Sequence, residues 1–86
     1  MYKNLLEYIV KNLVAYPEKI EISEIENDGK VALKLKVAKE DMGRVIGKEG
    51  RIIRSIREII SAYAMKNHQK VAVDIEEIKK ENTTNE

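Results

Sequence analysis

The chain has 86 residues, 43% hydrophobic and 36% charged, with a formal net charge of +1 at pH 7, a length that allows one domain with a core just large enough to fold alone. With no cysteine and a single histidine, His68, it has no disulfide scaffold, no thiolate metal site and no histidine cluster for a metal within one chain. It contains no run of about 18 apolar residues to span a membrane, and Lys3, Glu7 and Lys11 break any signal-peptide core, so a soluble, unexported, cytoplasmic protein is expected.

Between Tyr2 and Tyr16 the apolar residues Leu5, Leu6, Ile9, Val10, Leu13 and Val14 have the spacing of a helix with one buried stripe. Pro17 is expected to end it, because the residue before a proline is pushed out of the helical region. Ile20 to Ile25 alternates at Ile20 and Ile22 and then changes phase at Ile25, which predicts a short strand with an irregular end. Asn27, Asp28 and Gly29 give a turn. Val31, Leu33, Leu35 and Val37 then alternate with Ala32, Lys34 and Lys36, a half-buried strand paired with the first as a hairpin.

Residues 39–46 read as a short helix in spite of Gly43, and Arg51 to Lys66 as a long one, about 24 Å at the usual rise per residue. Val71, Val73 and Ile75 alternate in a last strand. The domain is assigned to residues 1–78, and the polar residues 79–86 to a disordered tail. The predicted class is α+β, in the order helix, strand, strand, helix, helix, strand.

The most informative stretch runs from Gly43 to Arg57. Gly47 and Gly50 bracket Lys48 and Glu49 at the junction of the two helices, so the backbone must turn sharply and then enter a helix. The unsatisfied N–H groups of a helix start, with the positive end of its dipole, form a site for an anion such as phosphate. Arg44, Lys48, Arg51, Arg54 and Arg57 stand around it against the single acid Glu49, in a chain whose net charge is only +1. A Walker loop does not fit: Gly43 and Gly47 enclose three residues instead of four, and Glu49 follows Lys48 where a hydroxyl would hold magnesium. Nor does the dinucleotide fingerprint, since Val45 occupies the place of one of its glycines. An ordinary helical turn beside a solvated basic face is the competing reading.

The run Val45, Ile46, Gly47, Lys48, Glu49, Gly50, Arg51, Ile52, Ile53 closely resembles the signature of the K homology (KH) family, whose GXXG loop clamps the backbone of single-stranded nucleic acid. The element order is similar to that of the bacterial type II KH domain, a three-stranded sheet with helices packed on one face, so the resemblance covers nearly the whole chain. At this size the chain resembles the small bacterial single-KH RNA-binding proteins, the KhpA-like group. Membership implies binding of single-stranded RNA, a role as post-transcriptional regulator or RNA chaperone, and dimers with itself or with a larger KH-containing protein. Glu49 departs from the basic or neutral residues usual at the middle of that loop.

On this reading Gly47, Lys48, Glu49, Gly50 and Arg51 form the clamp. Lys48 and Arg51 contact phosphate first and Arg44 next, with Arg54 and Arg57 as steering charge. Val45, Ile46, Ile53 and Val37 line an apolar groove for bases, although such residues are more often plain core. The four tyrosines do not lie on the predicted strands, so no aromatic stacking platform is expected. No serine, histidine and acid come together as a catalytic set, and neither an enzyme nor a cofactor is expected. Apolar residues of the long helix cover an arc of about 140°, wider than the roughly 100° stripe that faces one core, which puts Ile52, Ile59 and Tyr63 at a homodimer contact. A protein-interaction adapter that uses the KH fold to dimerise with a larger partner is the alternative function.

Overall fold

The computed structural model describes residues 2–78; the expected tail lies outside them. Helix α1 (Tyr2–Lys11) buries Tyr2, Leu6 and Val10, one residue per turn on a single face. It stops five residues short of the expected end at Tyr16. The cause is a contact distant in sequence: the N–H groups of Ala15 and Tyr16 donate to the two carboxylate oxygens of Asp41, at 2.8 and 3.0 Å, instead of extending the helix. The side-chain amide of Asn12 donates to the Tyr8 carbonyl at 2.7 Å, near the helix end, where carbonyls lack intrahelical partners. Pro17 opens a 3₁₀ turn, Pro17–Lys19, a place where its missing N–H costs nothing.

Strands β1 (Glu21–Asn27) and β2 (Lys30–Val37) form the expected hairpin, in antiparallel register from Glu21 opposite Lys36 to Asn27 opposite Lys30. Asp28 and Gly29 both have positive φ, 53° and 77°, as a two-residue turn matched to strand twist requires. The expected change of phase at Ile25 does not occur. β1 keeps its register, so Ile25 pairs with Ala32 on the open face and is 67% exposed, while Glu24 takes the inner position. Its carboxylate accepts the N–H of Lys3 at 3.0 Å, capping a first-turn amide of α1.

After β2 the short helix divides. A 3₁₀ turn, Lys39–Asp41, precedes α2 (Met42–Ile46), and the long helix α3 (Arg51–Lys66) has the bounds that its periodicity predicts. It ends in a Schellman motif: the Gln69 and His68 N–H groups donate to the Ala64 and Met65 carbonyls at 2.9 and 3.1 Å, and His68 sits in the left-handed region at φ 57°. Strand β3 (Lys70–Glu77) then pairs in parallel with β2, which is central in the order β1-β2-β3. A parallel partner requires a crossover, and residues 38–69 with α2 and α3 supply it.

Val31, Leu33, Leu35 and Val37 of β2 and Val73 of β3 bury one face of the sheet under Leu6 and Val10 of α1, Val45 of α2, and Ile53, Ile56, Ile60 and Ala64 of α3. Lys34 and Lys36 lie on the other face, each 3.9 Å from the carboxylate of Glu76. The architecture is thus the expected α+β one, in the order α-β-β-α-α-β, and the mixed sheet is that of a type II KH fold.

Candidate nucleic-acid interface

The loop between α2 and α3 is shaped by its glycines. Gly47 has φ 78° and ψ 176°, a region essentially closed to residues with a side chain. Its N–H donates to the Gly43 carbonyl at 2.9 Å and its carbonyl accepts the Gly50 N–H at 3.2 Å. The Arg51 N–H donates to the Lys48 carbonyl, so residues 48–50 form one 3₁₀ turn. Within it Glu49 (φ 57°, ψ 28°) and Gly50 (φ 74°, ψ 17°) are both left-handed. Among the described residues, the N–H groups of Lys48 and Glu49 have no backbone acceptor, whereas those of Gly47, Gly50 and Arg51 do. Two adjacent main-chain donors are therefore left open in an exposed turn that leads directly into a 16-residue helix, an arrangement that attracts an anion.

The basic residues divide by what they touch. Lys48 is exposed, and its ammonium has no partner among the described residues. The Arg51 guanidinium lies 3.9 Å from the Glu49 carboxylate, both largely exposed, a pair worth little in water. Arg54, expected to lie farther from the loop, turns back to it and donates to the Glu49 carbonyl at 3.4 Å. Arg57 leaves the group: its Nε donates to the Val73 carbonyl at 3.0 Å, on the edge strand β3. Nε of Arg44 lies 3.2 Å from Oδ1 of Asp41.

Much of the expected apolar groove is core. Val45, Ile53 and Val37 are 0, 6 and 1% exposed, because α2 and the start of α3 must cover β2. Half-buried Ile46 and Ile52 remain beside the loop. Ile52, expected at a dimer contact, lies against Gly47, where an added Cβ would be 2.5 Å from its Cγ1. Ile59 and Tyr63 face outward, 49 and 37% exposed, with the Tyr63 ring set edge-on to Tyr2 at 5.5 Å. Asp41 is the residue that sequence reasoning missed. It is fully buried, and its only sequence signal is an arginine three positions on, an ordinary helical spacing. Among the described residues no group of three or more His, Cys, Asp or Glu is placed to hold a metal ion, and no helix is long and apolar enough to cross a membrane.

The family described as KhpA/KhpB, KH domain, matches residues 3–75. The chain is 49% identical over 73 residues to "RNA-binding protein KhpA" of Clostridium acetobutylicum, covering 85% of this chain and 97% of that one. It is 44% identical over 77 residues to the protein of that name in Chlamydia caviae, covering 90% and 99% of the two chains. To the one in Listeria monocytogenes it is 47% identical over 73 residues, covering 85% and 96%. With the GXXG turn, the type II order and near end-to-end similarity in agreement, the chain belongs to the KhpA/KhpB family of KH domains.

Proposed function

We propose that this protein binds RNA, and that it does so by gripping the backbone of a single strand over the turn from Gly47 to Arg51. Its relatives are named as RNA-binding proteins. The observation that carries the clamp is the pair of open N–H groups on Lys48 and Glu49, next to the ammonium of Lys48, which has no partner among the described residues, and the positive end of α3. A phosphate there accepts two main-chain hydrogen bonds and meets the charges of Lys48 and Arg51. Arg54 holds the loop carbonyl, and Ile46 and Ile52 offer a small apolar surface to a neighbouring base. Such contacts position the strand and carry little sequence information, so base preference is modest. In the cell this is the work of a cytoplasmic post-transcriptional regulator or RNA chaperone.

Titration with a short single-stranded RNA at several salt concentrations tests the reading. Two to four phosphates neutralised on a single strand give a log-log slope of roughly −1.5 to −3, at about 0.7 per phosphate. Duplex RNA of equal length binds worse. A slope near zero, or equal affinity for both, overturns the clamp. The second reading, an adapter that dimerises with itself or with a larger KH-containing protein, draws on the outward-facing Ile59 and Tyr63 of α3.

A further inference from the structure

Asp41 is the one buried charged residue among those described. Its Oδ1 accepts the Ala15 N–H and lies 3.2 Å from Nε of Arg44, and its Oδ2 accepts the Tyr16 N–H. A buried carboxylate held by two main-chain donors cannot swing to follow a mobile arginine, so here the arginine is fixed by the acid. Arg44 stands on α2, three residues before Gly47, and stays 59% exposed while its partner is fully buried. Nε is one of three nitrogens on a planar fork, and with the side chain mostly exposed the guanidinium has N–H groups to spare for a second partner.

We propose that Asp41 is a positioning residue for the nucleic-acid site: by holding Nε of Arg44 it presents the terminal nitrogens of that guanidinium to the backbone phosphate next to the one clamped over Lys48 and Glu49. The proposal rests on the single-strand clamp described above. It assigns to a buried acid, at the junction of the α1–β1 connection with α2, a part in binding an anion that its own charge would repel. A lysine at position 44 does not replace the arginine, because its three donors radiate from one nitrogen that the carboxylate draws to itself, whereas a guanidinium spans the two partners with separate nitrogens.

The test measures binding of a short oligouridylate by fluorescence anisotropy, with a melting curve for each variant. Arg44→Ala and Arg44→Lys each weaken binding about three- to tenfold, and each lowers the salt slope by about 0.7, although the second keeps the charge. Asp41→Asn weakens binding to a similar extent, but in the Arg44→Ala background it changes affinity by less than about twofold, since coupled residues do not add. Wild-type affinity for Arg44→Lys overturns the proposal, as does an equal effect of Asp41→Asn in both backgrounds, which is what a merely structural role produces. If Asp41→Asn fails to fold, the comparison of Arg44→Lys with Arg44→Ala decides alone. Lys48→Asp, measured alongside, separates the two readings. Weak binding by Lys48→Asp with normal binding by the Arg44 variants sinks only the positioning role, and normal binding by all of them sinks the clamp as well.

Discussion

A Cβ placed on Gly47 would lie 2.5 Å from Cγ1 of Ile52, closer than two carbons can approach. Gly47 is thus constrained twice, by its backbone angles and by the first turn of α3, which closes the loop from behind. Gly50 is left-handed but has nothing within 4 Å of the same added atom. The two glycines of the motif therefore do different things. Gly47 lets the loop lie against the helix, and Gly50 only reverses its direction.

The consequence for stability is asymmetric. Gly47→Ala should cost about 3 kcal/mol or more, strain and overpacking together, and Gly50→Ala about 1 kcal/mol for the left-handed angle alone. Urea unfolding of both variants measures the difference. Equal losses would show that the contact with Ile52 does not constrain the loop.

His68 provides a gain instead of a loss. It holds the left-handed position of the Schellman motif that ends α3, where a side chain is strained and glycine is not. His68→Gly should stabilise the protein by about 0.5–1 kcal/mol, a rise of several degrees in Tm. An unchanged or lower Tm would contradict the assignment.

The expected homodimer has its own variant. Ile59 and Tyr63, one turn apart, are two of the three exposed large apolar residues of α3, with Met65, while Ile56 and Ile60, beside them, are core. Ile59→Asp should give a folded monomer, because the change is exposed and leaves that core intact. Sedimentation of the wild-type protein at about the tens of micromolar typical of a moderate dimer would refute the contact if it found only monomer.

How far the sequence could be read depended on how local the determinants were. α3, the hairpin turn at Asp28 and Gly29, and the alternation of β2 are set by neighbouring residues, and these came out with their bounds nearly intact. The end of α1 did not, because it is set by a carboxylate 25 and 26 residues away in sequence. The arginines show the same division. A helical projection places Arg54 and Arg57 by angle, but it cannot reveal that one side chain folds back to a loop carbonyl while the other reaches the edge strand. Val45 and Ile53 carry the motif's apolar pattern, yet that pattern is the same for a groove as for a core, and burial decides for the core.

The central claim, that the glycine turn holds RNA by its backbone, is tested most directly by charge reversal at the two exposed middle residues. Lys48 places a cation beside the open N–H groups, and Glu49 places an anion there. Glu49→Lys should tighten binding and Lys48→Asp should weaken it strongly. Glu49 is left-handed in the turn, but lysine bears the same backbone cost as glutamate there, so neither change should move stability by more than about 0.5 kcal/mol. The decisive measurement is the affinity of Lys48→Asp combined with Glu49→Asp for single-stranded RNA, taken together with its melting curve. A strong loss of affinity with a normal melt is the predicted result; unchanged affinity with a normal melt would contradict the account, leave the loop as a turn between helices, and favour the adapter.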